Sequence, residues 1–311
     1  TKILFIADEV HATGSAKQRD ALLPEYDYRI GLSATPERMF DEGGTSLIRN
    51  YFGDKSFEFT IADALSTINP LTGRSFLNHF TYHPIFVELT PSENKRFNKY
   101  SQQIAILKAQ DEYDPDDLQK LYDRRAAVSK NAEGKYYALN KLFNQLIPES
   151  IVDTILFVSD KQIKGAFDIL SEKHIKRAKI TERESASKVV NNDGDTERQE
   201  IISQFNQRQL QVLVGIKCLD EGIDIPNARI AILMSSSTNP REFVQRVGRV
   251  IRQAPNKKTS KIYDFIAFSD SAAGLLEKEA KRAQLIAANA DNYNEVREAF
   301  SQRGVNLDAN Q

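Results

Sequence analysis

The stretch Ile3-Leu4-Phe5-Ile6-Ala7-Asp8-Glu9-Val10-His11 decides the fold class. Five apolar residues in succession, with no polar alternation, read as a strand covered on both faces, the habit of parallel sheets. The run stops at two carboxylates. In an open parallel sheet, ligands gather outside the carboxyl ends of the strands. A pair of acids there can serve a nucleotide, one holding Mg²⁺ and the other orienting an attacking water. Acids also follow strands for ordinary structural reasons, so this segment alone does not decide function. Arg29-Ile30-Gly31-Leu32 repeats the pattern and runs into Ser33-Ala34-Thr35-Pro36. Two such strands bring Ser33 and Thr35 beside Asp8 and Glu9 at one sheet edge. Hydroxyls in that place either link a metal site to its neighbours or cap a helix.

Outward from these strands the rhythm changes and then returns. Residues 91 to 147 are rich in helix formers, and Thr90-Pro91-Ser92-Glu93 predicts a helix start. The acid-rich stretch Asp111 to Asp117 separates two helices. From residue 151 the alternation of strands and helices resumes. Strands are expected at Thr154–Val158, Val212–Val214, Ile230–Leu233 and Ile262–Phe268, and helices at Lys161–His174 and Thr196–Phe205. The strand Ile85–Leu89 could belong to either sheet, and an added strand on the second is the preferred placement. Residues 270 to 303 form a helical tail rich in alanine and charge. The expected organisation is therefore α/β, with parallel sheets flanked by helices and four segments: 1–90, 91–150, 151–268 and 269–311.

Composition narrows the function classes. The chain has 311 residues, 41% hydrophobic and 27% charged, an ordinary globular balance. No apolar run is long enough to span a membrane. The single cysteine, Cys218, excludes a disulfide framework and a multi-cysteine metal site, and it fits a reducing, cytoplasmic compartment. Lys and Arg number 42 against 43 Asp and Glu, for a net charge of −1. That excludes a strongly basic coat while leaving room for a local basic site. The chain opens at Thr1 inside a strand, with no signal peptide, which predicts that a segment precedes it.

The local basic site is Arg241-Glu-Phe-Val-Gln-Arg-Val-Gly-Arg-Val-Ile-Arg252. On one helix, Gln245, Arg249 and Arg252 fall within roughly 60° of each other. Phe243, Val247 and Val250 fall opposite, flanked by Val244 and Ile251. An apolar face would pack on the sheet and present two aligned guanidiniums, which suit the charge of a transferring phosphoryl group. A solvated basic face is the alternative. Gly248 near the arginine line would let a partner approach closely. Cys218-Leu-Asp-Glu-Gly-Ile-Asp-Ile-Pro226 gathers three carboxylates after a strand, for ribose hydroxyls or as a plain turn. Cys218 itself reads as a small buried residue.

These segments in this order resemble the superfamily 2 (DEAD/DEAH-like) helicases and translocases. The nearest branch holds the xeroderma pigmentosum B-type repair helicases and the motor subunits of type I and type III restriction enzymes. Asp8-Glu9-Val10-His11 is similar to motif II, and Ser33-Ala34-Thr35 to motif III. Ile155–Ser159 is similar to motif IV, Asp220–Pro226 to motif V and Gln245–Arg252 to motif VI. Val10 departs from the Ala or Cys of several relatives. The resemblance spans about residues 1 to 268 and implies RecA-like lobes of the P-loop NTPase fold, the first truncated and the second complete, with ATP and Mg²⁺ as cofactors. It implies that Asp8 holds Mg²⁺ and that Glu9 polarises the attacking water. His11 and Gln245 would couple the lobes through the γ-phosphate region, and Ser33 and Thr35 would link hydrolysis to movement. Gly222 and Asp224 would approach the ribose, and Arg249 and Arg252 would act as arginine fingers.

The implied partner is DNA, held by its backbone, together with nuclease or methylase subunits if the parent serves restriction rather than repair. No Gly-x-x-x-x-Gly-Lys-[Ser/Thr] occurs in the chain, so the phosphate loop is expected upstream and the chain alone is expected to be inactive. A non-motor nucleotide-binding α/β enzyme, such as a glycosyltransferase lobe, would explain the sheets but not the paired arginines after Gln245. A catalytically silent nucleic-acid scaffold would not need Asp8, Glu9, Arg249 and Arg252 intact.

Overall fold

The apolar run at 3–7 becomes strand β1 (Leu4–Ala7), which pairs in parallel with β2 (Tyr28–Gly31), Leu4 against Tyr28 and Ile6 against Ile30. Helix α1 (Glu42–Phe52) starts where the Asp41 side chain accepts from Gly44 N at 2.7 Å. Its Ile48 and Phe52 pack with Phe5, Ala7 and Val10. The opposite face is open: Leu4 is 50% and Ile6 54% exposed, with Tyr28 and Ile30 beside them. Coverage on both faces, expected for this strand, is therefore not seen. The reason is that these two strands form a sheet of their own, with α1 on one side. These elements make up Thr1–Thr60, one of two compact units of this computed structural model; Ile61–Gln311 is the other. The structure describes residues 2–15, 17–33, 41–110, 112–146, 151–181, 189, 194–215, 225, 227–235, 240–255 and 257–307, with the backbone alone for 240–242.

The larger unit opens with α2 (Ile61–Ser66) and a short hairpin, β3 (Ile68–Asn69) and β4 (Arg74–Ser75). Then come β5 (Phe80–Glu88), α3 (Pro91–Lys108), α4 (Pro115–Lys130) and α5 (Gly134–Gln145). The Thr90–Glu93 capping box begins α3 as expected; Asp114, inside the acid-rich stretch, caps α4, whose first turn carries Asp116 and Asp117. The alternating part follows: β6 (Thr154–Phe157), α6 (Ile163–Glu172), β7 (Arg177–Ile180), α7 (Glu197–Asn206), β8 (Val212–Gly215), β9 (Ile230–Leu233), α8 (Pro240–Val250) and β10 (Ser260–Phe268). Helices α9 (Leu275–Ala287) and α10 (Tyr293–Ser301) close it.

Six of these strands form one parallel sheet in the order β5-β10-β9-β6-β8-β7. Every residue of β6, β8 and β9 is buried, so for these strands the continuous apolar runs do mean two covered faces. Ile155 and Phe157 face a layer built from α8, α9 and α10. Leu156 and Val158 face Phe97, Leu139, Leu142 and Leu170 of α3, α5 and α6. The whole of Phe80–Glu88 lies in this sheet, in register with Ser260–Phe268. The larger compact unit, Ile61–Gln311, therefore includes this strand together with the helices that follow it.

The tail is part of the core. Ala280, Ala283, Ile286, Val296 and Phe300 are buried in the same layer as α8. A buried polar knot pins α9 to the sheet: Asp264 accepts from Tyr82 Oη at 2.5 Å and from Arg282 Nη1 at 2.6 Å. Arg282 also bonds Glu279 at 2.7 Å and lies 4.8 Å above the Phe243 ring of α8. Burial beside the Asp264 carboxylate pushes the Tyr82 hydroxyl well above its ordinary pKa.

Candidate functional site

In the smaller unit the acid-bearing segment is laid onto the end of β2. Val10 N donates to Leu32 O and Leu32 N to Ala7 O, both at 2.8 Å. Val10 is buried over Gly31, where an added Cβ would lie 2.8 Å from Val10 Cγ2. The valine fills the space that the glycine leaves. Asp8 is exposed, and its Oδ1 accepts from Glu9 N at 2.9 Å. Glu9 sits in the left-handed region at φ 50°, uncommon for a residue with a side chain. That turn brings Glu9 Oε2 to 3.2 Å from His11 Nδ1. The same nitrogen is 3.2 Å from Ser33 Oγ. Asp8-Glu9-Val10-His11 and Ser33 thus meet at one place, as the two strands predicted. Thr35 lies outside the described residues.

The donor chemistry distinguishes between metals. Among the described residues no group of three or more His, Cys, Asp or Glu could cage an ion. Asp8 offers one solvent-facing carboxylate. That suits Mg²⁺, which keeps several waters and takes one or two protein carboxylates beside substrate phosphates.

In the larger unit α8 buries Phe243, Val247, Val250 and the following Ile251 completely. Gln245, Gly248 and Arg249 are part-exposed, and a Cβ added at Gly248 would meet nothing within 4 Å. The helix ends at Val250, however. Arg252 is not on it: its backbone bridges Leu77 in antiparallel sense, and its side chain is exposed. The single-helix alignment therefore holds for Gln245 and Arg249 and not for Arg252. The termination has a cause in the side chains that follow. Lys257 Nζ donates to Val250 O and, at 2.7 Å, to Arg252 O, and Ser260 Oγ donates to Val250 O at 2.9 Å. These donors satisfy carbonyls that a continuing helix would have used. Burial, with Arg229 adding to it, pushes the Lys257 ammonium pKa down to about 7.

Arg246 was not singled out in the helical reading, yet among the described side chains of α8 it is the buried arginine. It donates to Ser235 O at 3.0 Å and lies 5.5 Å over the Phe157 ring, joining α8 to the ends of β9 and β6. Lys135 was missed as well. It is buried, donates to Met234 O at 3.0 Å, and has its pKa pushed down to about 8 by desolvation. Ser159, at the end of the segment similar to motif IV, donates to Asn131 Oδ1 at 2.5 Å and is thereby tied to the α4–α5 turn. Gly222, Asp224 and Cys218 lie outside the described residues. No helix among the described residues is long and apolar enough to cross a membrane.

The model of the helicase conserved C-terminal domain matches residues 135–254. The chain is 27% identical to the DNA 3'-5' translocase XPB2 of Sulfurisphaera tokodaii, over 80% of this chain and 56% of that protein. It is 28% identical to UvrABC system protein B of Yersinia pestis, over 41% of this chain and 19% of that protein. It therefore spans about half the length of the first relative and a fifth of the second. S. cerevisiae Dbp5, solved with RNA and ADP BeF3, shares the fold with a TM-score of 0.52 at 14% identity, over 96% of this chain and 63% of that one.

Proposed function

We propose that this chain, which belongs to the superfamily 2 helicases, is part of a motor that couples ATP hydrolysis to movement along DNA. The observation that carries the reading is His11 Nδ1, within 3.2 Å of both Glu9 Oε2 and Ser33 Oγ. Two segments that separately mean little are joined there by side chains suited to hydrolysis. Asp8 is the residue that would hold Mg²⁺, which when bound neutralises charge on the phosphates. Glu9, turned by its left-handed backbone, is the group that polarises the attacking water. His11 orients Glu9 and passes its state to Ser33. Gln245, Arg249 and Arg252 would stabilise the phosphoryl group in flight, and Gly222 and Asp224 would meet the ribose. Ser33 with Thr35 would link hydrolysis to movement.

A motor of this kind grips phosphates and does not read bases. Fluorescence anisotropy of the 311-residue chain with labelled DNA tests this. The expected result is binding that tolerates sequence changes and falls linearly in log affinity with log salt. Strong preference for one base sequence, or binding indifferent to salt, would count against a backbone-tracking motor.

A further inference from the structure

The β3–β4 hairpin belongs to none of the motifs above. Its tip, Asn69-Pro70-Leu71-Thr72-Gly73-Arg74, is built to be stiff. Asn69 O accepts from Gly73 N at 2.9 Å, and Asn69 Oδ1 accepts from Leu71 N at 2.9 Å. Pro70 has a fixed φ, and Gly73 takes φ 68°, where glycine is favoured. On this frame Leu71 is 92% exposed and Ile68 59%. The base is equally firm. Asn78 N donates to Ile251 O at 2.7 Å and Asn78 Nδ2 to Arg252 O at 3.0 Å. Gln253 Nε2 donates to Leu77 O at 3.1 Å. The hairpin is thus held in one position relative to the end of α8, and its apolar tip costs little further entropy to immobilise on a partner.

Charge indicates which partner. Acids make up 43 of the 311 residues, yet none occurs from Ala64 to Val87, where Arg74 stands exposed at the tip. His79, further along, is paired with Asp291 at 2.8 Å, and burial lowers the pKa of His83, so the cation of this segment is Arg74. An acid-free segment with an arginine beside a protruding Pro-Leu pair suits a polyanion with apolar steps. Proteins that bend duplexes insert Leu, Ile or Pro between base pairs and place Arg or Asn nearby. A protein partner would be met equally well by a tip with mixed charge, so the missing carboxylates favour nucleic acid.

We infer that the β3–β4 hairpin is a nucleic-acid contact in which Leu71 presses into a base step and Arg74 meets a phosphate. The inference rests on the nucleic-acid binding proposed above. Its test uses the whole chain with duplex DNA carrying 2-aminopurine, whose fluorescence rises on unstacking. Wild type should bind and raise the signal. Leu71→Ser, at a solvent-facing position that leaves the fold intact by circular dichroism, should bind within a few-fold but lose the rise. Arg74→Gln should reduce the salt slope by about one. If wild type binds DNA and Leu71→Ser gives the same signal with the slope of Arg74→Gln unchanged, the inference fails while the functional reading stands. If wild type binds no DNA, both fail. Loss of self-association in Leu71→Ser, with the DNA signal intact, would identify a protein contact and overturn the inference.

Discussion

Lys135 carries an ammonium into the core, where Met234 O and Lys130 O accept from it. Burial lowers its pKa from 10.5 to about 8. Between those values the unfolded chain keeps the proton that the folded chain has released, so stability rises with pH across that window. Below about 8 both states are protonated, and the cost of burying the charge is felt in full. Relative to Lys135→Met, wild type should gain on the order of 1–3 kcal/mol between the two pKa values. Urea midpoints measured across the window check this; parallel curves for the two proteins would refute it. At Gly31 an added methyl meets Val10 at 2.8 Å. Gly31→Ala should cost about 1–3 kcal/mol, and much of that should return in Gly31→Ala with Val10→Ala, a coupling read by a double-mutant cycle. The juxtaposition of Asp8 to His11 with Ser33 was legible because each segment directly follows an apolar run. Arg246 was not, because its partners, Ser235 and Phe157, come from strand ends that helical periodicity cannot see.

At the level of elements, the tail departs most from what periodicity suggests. The sequence from 270 to 303 reads as helical and is helical, but its alanines gave no sign of which surface they cover. Small side chains let α9 lie close to α8 and the sheet, and Phe300 of α10 meets Phe86 of β5 at 5.0 Å with the rings at 71°. Phe300 is fully buried. Phe300→Ala should cost about 3–5 kcal/mol, measured by chemical denaturation. A loss below 1 kcal/mol would mean that the tail is a loose appendage. The arginine helix shows the opposite limit. Its buried face was legible from spacing alone, while its end was not, because the donors that stop it, Lys257 and Ser260, follow the helix in sequence and belong to the strand and its approach. Strands Thr154–Phe157, Val212–Gly215 and Ile230–Leu233 were legible as buried on both faces. The same pattern at Leu4–Ala7 misled, since hydrophobicity records a preference for cover and not its presence.

Across the whole molecule, the acid and hydroxyl groups lie in the unit Thr1–Thr60 and the glutamine–arginine segment in the unit Ile61–Gln311, and both are proposed to serve ATP hydrolysis. The chain contains no Gly-x-x-x-x-Gly-Lys-[Ser/Thr], the segment whose backbone N–H groups and lysine normally cradle the triphosphate. By itself it should therefore neither bind ATP saturably nor release phosphate. The most direct measurement is phosphate release, with and without DNA, from a polypeptide joining a loop-bearing lobe of the same family to this chain, wild type beside Arg249→Ala. DNA-stimulated turnover is expected in wild type. In Arg249→Ala turnover should fall by roughly 10³-fold, with nucleotide affinity little changed because the arginine acts on the transition state. Turnover in Arg249→Ala within a few-fold of wild type, or DNA-stimulated turnover by the 311-residue chain alone, would overturn these roles.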